Sequence, residues 1–204
     1  AKITIYEALP EILPGVDEEI VVLIKRILKR KGIEVLTGAR FEPAAATNPT
    51  LICVGRTPNS ADGKSLPVNE YLETKEPGVY AVGDLVSRKM LAHVAYEQGA
   101  LAAENALGAK KSFNYDCVPY GIYTDPEIAG VGSTENEAGK VHTNIKVGKF
   151  PFGALGIAQA LGEIEGFVKM IAKEDGTLLG VHIIGPEATT LIGAATLALK
   201  NHLS

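Results

Sequence analysis

Apolar and polar positions change period several times along the chain, and each change marks an element. "KITIYEA" is a short β-rich run that predicts a strand ending at Glu7. In "LPEILPGVDEEIVVLIKRILKRKG" a loop gives way to a helix, because Ile20, Leu23, Ile24, Ile27 and Leu28 recur at three- and four-residue spacing. Asp17 suits its amino-terminal cap, and Lys29 to Lys31 followed by Gly32 suit its end. "IEVLTG" restores a strand, so this opening predicts a βαβ unit with a right-handed crossover. Beyond it "RFEPAAATNPT" holds neither period, and "LICVG" predicts an apolar strand closed by Gly55, with more sheet expected between them.

Residues 57–78 read as a loop crossing between two sheets. "VYAVGD" then predicts a strand that carries Gly83 and Asp84 to its carboxyl end. "MLAHVAYEQGALAAENALG" predicts a helix with Leu91, Val94, Ala95, Gln98, Leu101, Ala102 and Asn105 along one side. Ligands of open α/β sheets bind beyond the carboxyl ends of the strands, which makes Asp84 and the start of this helix the candidate site. After Gly108 the texture changes to short strands with turn signals, including Glu174-Asp175-Gly176 as a hairpin turn, and "PEATTLIGAATLALKNHLS" closes the chain as a helix. That pattern predicts an antiparallel sheet packed with helices from about residue 111.

Composition narrows the field. The 204 residues are 46% hydrophobic, enough for a real core in one large domain or two small ones. With 20 basic and 24 acidic residues there is no broad basic field, so nucleic acid is not an expected partner. No run approaches 18 consecutive apolar residues, and the opening reads as a strand and not a signal peptide, so neither is a membrane. Cys53 and Cys117 sit far apart in apolar or mixed settings, which argues against a disulfide scaffold or a Cys-x-x-Cys centre and for an intracellular compartment. No spacing pairs His142 or His182 with each other or with a cysteine, and no metal site is expected.

"ICVGRTPN", "VYAVGD", "MLAHVAYEQG", "YTDPEIAGVG" and "GFVKMIAKEDGTLLGVHIIGPEA", taken in order, resemble the carboxyl-terminal half of the dihydrolipoyl dehydrogenases, flavoprotein disulfide oxidoreductases. "MLAH" favours this lipoamide group over the mercuric and glutathione reductases, which are the alternatives. The resemblance implies an α/β fold: a partial nicotinamide- and flavin-binding Rossmann-like region followed by an α+β dimerisation domain. Residues 1–56 would belong to the NAD-binding domain, 57–110 to the FAD-binding domain, and 111–204 to an interface domain truncated at its end.

The same resemblance assigns site residues. Asp84 would accept a hydrogen bond from a ribityl hydroxyl of FAD, beside a Gly83 that allows close backbone approach. Met90, Leu91, Ala92 and His93 would lie by the isoalloxazine ring, where helix-start N–H groups favour negative charge. Read alone, without the resemblance, Asp84 is a simple turn or N-cap residue. Glu7 resembles the strand-end acid that receives the adenosine ribose hydroxyls of NAD and disfavours the 2′-phosphate of NADP. Gly55, with Arg56 to Asn59, resembles the stretch passing beside the nicotinamide. Tyr120, Tyr123, Pro126 and Glu127 would shape a flavin-facing or subunit-facing surface, or an ordinary core.

The implied chemistry is oxidation of protein-bound dihydrolipoamide, with electrons passing through FAD to NAD. A homodimer is expected, in the cytoplasm or, in a eukaryote, the mitochondrial matrix or a plastid; its partner is the lipoyl-bearing acyltransferase of a 2-oxo acid dehydrogenase complex. The departures are as informative. The redox disulfide, the amino-terminal flavin phosphate loop, the Gly-x-Gly-x-x-Gly loop before Glu7 and the late His-Pro-Thr segment with its Glu are not among these residues. His202 does not replace them, so no catalytic residue is assigned, and the 204 residues alone are expected to be inactive. A noncatalytic dimerisation fragment is the competing reading. "EPAAATNPTLICVG", "PNSADGKSLPVNEY" and "STENEAGKVHTN" are each shorter than the family pattern.

Overall fold

The computed structural model describes residues 2–42, 48–86 and 89–204. They form two compact units, one drawn from Ala1–Pro49 with Asp116–Ser204 and one from Thr50–Tyr115. In the first, β1 (Ile3–Glu7) and β2 (Ile33–Thr37) pair in parallel, Ile3 opposite Ile33 and Glu7 opposite Thr37, with α1 (Glu18–Arg30) between them in sequence. The Asp17 carboxylate caps α1 by accepting from the Glu19 amide at 3.2 Å. Acids in the first turn and bases in the last complement the helix dipole, and Gly32 turns the chain out at φ +74°. The predicted βαβ elements therefore form as expected.

The second unit carries less regular structure. Among its described residues the one long element is α2 (Ala92–Ala106), whose buried face holds Val94, Gln98, Ala102 and Asn105. Two predicted strands do not form here. Residues 51–55 have no strand pairing, and Leu51 and Val54 are 88% and 91% exposed. A strand needs backbone neighbours, and none lies beside this run among the described residues. Part of the additional sheet expected before it falls on residues 43–47, outside the described residues. "VYAVGD" forms a single antiparallel bridge, Tyr80 to Glu73, and then a 3-10 turn over Gly83–Leu85 instead of an extended strand.

The remainder of the first unit is the predicted antiparallel sheet. Its strands are β3 (Tyr120–Ile122), β4 (Glu127–Gly132), β5 (Ile145–Pro151), β6 (Phe167–Lys173) and β7 (Leu178–Gly185), in the order β3-β4-β7-β6-β5. Helices α3 (Glu135–Val141), α4 (Gly156–Leu161) and α5 (Ala188–Lys200) complete it. Thr134 and Glu137 form a reciprocal capping box at the start of α3. The β6–β7 hairpin turns as predicted, with the Gly176 amide donating to Lys173 O at 3.0 Å. Side chains alternate across the sheet. Ile128, Phe167 and Ile184 join Ile20, Val21, Ile24 and Ile27 of α1 in one core, while Ala129, Val131, Val181 and Ile183 join Ala188, Ile192 and Leu199 in another. The sheet is thus the middle layer between α1 and α5.

Candidate cofactor-binding site

The turn around Asp84 is built by hydrogen bonds from both sides. The Thr74 amide donates to Val79 O at 2.8 Å and the Ala81 amide to Leu72 O at 3.0 Å, which holds the approach. Val82 is extended, and the chain then folds into the 3-10 turn closed by the Val86 amide on Gly83 O at 3.0 Å. Gly83 has φ +68° and is buried against α2; a Cβ there would come within 3.0 Å of the Ala95 Cβ. Glycine satisfies both the positive φ and the close approach. The next residue, Asp84, is exposed. The turn is anchored inward at 83 and presents a carboxylate at 84.

The start of α2 follows closely. Leu91 occupies the N-cap in an extended conformation, offers no side-chain acceptor, and is followed by a first turn without acids. The positive end of the α2 dipole is therefore not offset by a capping side chain. Met90, Ala92 and His93 are exposed and Leu91 half-buried. Gly83, Asp84 and residues 90–93 belong to one compact unit, in which the 3-10 turn packs on α2. Gly55 lies in the same unit, at φ +91° within the run that lacks strand neighbours.

Glu7 belongs to the other unit, at the end of β1. Its Oε1 accepts from the Leu9 amide at 2.7 Å and its carbonyl from the Ala39 amide at 3.0 Å, so the acid shapes the turn that leaves the strand. Tyr123 is 85% exposed, whereas Tyr120 is half-buried with its hydroxyl inside the unit. Burial, with Asp17 and Glu137 nearby, raises the Tyr120 pKa above the ordinary phenol value.

The bonds of three polar groups escaped the sequence reading, although it placed Gln98 and Asn105 along one side of α2. Gln98 is fully buried; its Oε1 accepts from the Gly83 amide at 2.8 Å and its Nε2 donates to the Tyr115 hydroxyl at 2.6 Å. Asn105 ties Tyr71 O and both backbone groups of Lys111 to α2. Two amides seven residues apart on an otherwise apolar helix face were the available signal. Lys169, on an inward position of β6, is 2% exposed and reaches Asp17 at 3.0 Å, Glu19 at 2.9 Å and Glu135 at 2.6 Å. Burial opposes its charge, but the three carboxylates outweigh it and raise its pKa above the ordinary lysine value. Bonds from Lys149 and Lys169 likewise hold Glu19 below the usual carboxylate range.

A parallel βαβ unit, a glycine–aspartate turn before a helix without a side-chain cap, and a five-stranded antiparallel sheet make up a mixed α/β fold. The chain belongs to the pyridine nucleotide-disulphide oxidoreductase family: the family's sequence model matches residues 1–99, and the model of its dimerisation domain matches residues 118–204. A dihydrolipoyl dehydrogenase from Thermus scotoductus is 39% identical over 235 residues, covering 98% of this chain and 50% of the relative. A mitochondrial dihydrolipoyl dehydrogenase from Pisum sativum is 35% identical, covering 98% of this chain and 47% of the relative. Among solved structures, the HOCl-induced flavoprotein disulfide reductase RclA of Escherichia coli matches with a TM-score of 0.84 at 21% identity, covering 100% of this chain and 54% of that one. This chain spans about half the length of the curated relatives it matches. Because the Thermus alignment runs over 235 residues against a chain of 204, that relative holds internal segments this chain lacks. FAD and NAD are the cofactors of the family.

Proposed function

We propose that these residues serve a dihydrolipoyl dehydrogenase, oxidising protein-bound dihydrolipoamide and passing its electrons through FAD to NAD. The observation that carries the reading is the Gly83–Asp84 turn, anchored inward on α2 with its carboxylate outward beside a helix start lacking a capping side chain. Those features suit a flavin dinucleotide: Asp84 would accept from a ribityl hydroxyl, Gly83 would allow the backbone close, and the helix-start peptides of residues 90–93 would favour negative charge on the ring. FAD, when bound, supplies the redox chemistry. The protein's residues bind and orient it.

Glu7 would take the adenosine ribose hydroxyls of NAD, and Gly55 with the residues after it keeps the nicotinamide role that the sequence resemblance implies. In this division by role, residues 1–56 serve NAD, 57–110 serve FAD and 111–204 form the subunit interface. The match of residues 118–204 to a dimerisation domain supports a homodimer. The partner is the lipoyl-bearing acyltransferase of a 2-oxo acid dehydrogenase complex. Bacterial and mitochondrial relatives support a cytoplasmic or matrix location, and no helix of the described residues is long and apolar enough to cross a membrane.

Two measurements test the reading. In the full-length protein, Asp84→Ala should weaken FAD binding by about 1–3 kcal/mol, the cost of leaving a buried polar partner unsatisfied, as measured by calorimetric titration of the apo-protein. Unchanged affinity with an unchanged fold would sink the Asp84 role. A polypeptide of these 204 residues alone, verified at 21.5 kDa, should give no NADH from dihydrolipoamide and NAD with saturating FAD, because Cys53 and Cys117 form no redox pair. Turnover at an ordinary enzymatic rate, roughly 1–1000 per second, would overturn that expectation.

A further inference from the structure

Gln98 is a costly residue for its position. It lies on the apolar face of α2 with Val94 and Ala102, fully buried, where a leucine would pack without any polar group to satisfy. Both ends of its amide are engaged. The Gly83 N–H can only donate, so Oε1 must face it, and Nε2 then points to the Tyr115 hydroxyl. Tyr115 is in turn held edge-on by Phe113, with ring centroids 4.7 Å apart. The chain of contacts runs from the segment 113–115, through α2, to the Val82–Gly83 peptide at the start of the turn that carries Asp84.

We propose that Gln98 is a positioning residue for the cofactor turn: it holds the Gly83 N–H, and with it the turn that presents the Asp84 carboxylate, in the orientation that accepts a ribityl hydroxyl, with Tyr115 anchoring the Nε2 end of the Gln98 amide. The inference rests on the reading of Asp84 given above. Gly83 has a freedom of φ that no side chain limits, so hydrogen bonds on both of its sides hold the turn: Gln98 Oε1 on its N–H and the Val86 amide on its carbonyl. The carboxylate one residue later inherits that placement. Without Gln98 the Gly83 N–H would be buried and unpaired, and the turn would gain by rotating to find another acceptor.

The test uses the full-length protein, four single variants and one double variant. Gln98→Leu should weaken FAD binding to the apo-protein by about tenfold and speed hydrogen exchange at the Gly83 amide in the FAD-free protein. Gln98→Glu should restore both, because a carboxylate accepts from Gly83 and lets the Tyr115 hydroxyl donate. Tyr115→Phe should produce a smaller loss in the same two readouts. If Gln98 acts through Asp84, adding Gln98→Leu to Asp84→Ala should cost little beyond Asp84→Ala alone. Gln98→Leu with FAD affinity and Gly83 exchange within twofold of the parent overturns the proposal, as does full additivity in the double variant. If Gln98→Leu does not fold, Gln98→Glu and Tyr115→Phe decide: normal affinity and exchange in Tyr115→Phe with failed rescue in Gln98→Glu also overturns it. Asp84→Ala separates the two ideas. No effect there defeats the Asp84 reading, whereas a loss there with none in Gln98→Leu defeats only the positioning role.

Discussion

The unit containing the antiparallel sheet and the unit containing α2 solve the same problem, holding a polypeptide in one conformation, by different means. In the antiparallel sheet β4, β7 and β6 each have a neighbour on both sides, and apolar residues fill both faces. Charge inside it is confined to a compensated cluster around Lys169. The α2 unit has no sheet among its described residues and leaves apolar side chains such as Leu51 and Val54 outside. Its turns are fastened by two buried amides, Gln98 and Asn105, that reach from the helix to loop backbone. Hydrophobic area dominates the first unit, and directional bonds specify the second. A site that must present a carboxylate and helix-end peptides to a polar ligand is served by the second arrangement, because hydrogen bonds fix orientation where area alone does not.

The largest effect expected from this contrast lies at Lys169. Lys169→Met removes the cation shared by Asp17, Glu19 and Glu135 and leaves Asp17, 2% exposed, without its partner. Breaking one side of a buried ion pair costs about 3–5 kcal/mol. Glu19 and Glu135 are more than two-fifths exposed and contribute less. Denaturant unfolding should show the lowered midpoint with an unchanged slope, and hydrogen exchange should quicken in β6 and β7 while the Gly83 amide stays as protected as before. A loss below about 1 kcal/mol would mean that water compensates Asp17. Equal quickening at Gly83 would erase the distinction between the two units.

How much of this was legible in the sequence follows the same division. Period-two and period-3.6 patterns located β1, α1, β2, the hairpin from β6 to β7 and α5, because these elements bury one face against neighbours present in the chain. "LICVG" has an equally good strand pattern and forms no strand, since pattern describes what a segment could bury and not whether a neighbour exists to bury it against. Asp84 was legible as a candidate through Gly83 and the helix after it. What fastens it was not: Tyr115 lies seventeen residues beyond Gln98 in an irregular segment, and no periodicity links them. Lys169 was hidden for a related reason. An inward lysine on a strand reads as an interruption until Asp17, 152 residues earlier, is seen to be its partner.

A smaller effect concerns His182, which stands in register with Lys169 on β6 and Gly130 on β4. It is fully buried; Nε2 donates to Ser133 O at 2.9 Å, and Nδ1 has no partner among the described residues. Asp17, Lys169 and Glu137 act on it electrostatically, Tyr120 overhangs the same glycine, and burial dominates, lowering its pKa below the ordinary histidine value. The sign follows from which state takes the proton first. As pH falls below about 6.5 the unfolded chain protonates its free imidazole while the folded chain does not, so stability is complete above that pH and declines beneath it. One such group contributes a slope of at most about 1.4 kcal/mol per pH unit, ending where the folded imidazole itself titrates. Glu19 and Glu137, held below the usual carboxylate range, lose their contributions at more acidic pH, which separates the two windows. Unfolding free energies at pH 7.5 and 5.5 should therefore differ more for the parent than for His182→Gln, and an NMR titration should place the folded imidazole below 6.5. A folded pKa at or above that value would show that Asp17 and Glu137 outweigh burial, and the acid-side loss assigned to the sheet unit would have to come from its carboxylates alone.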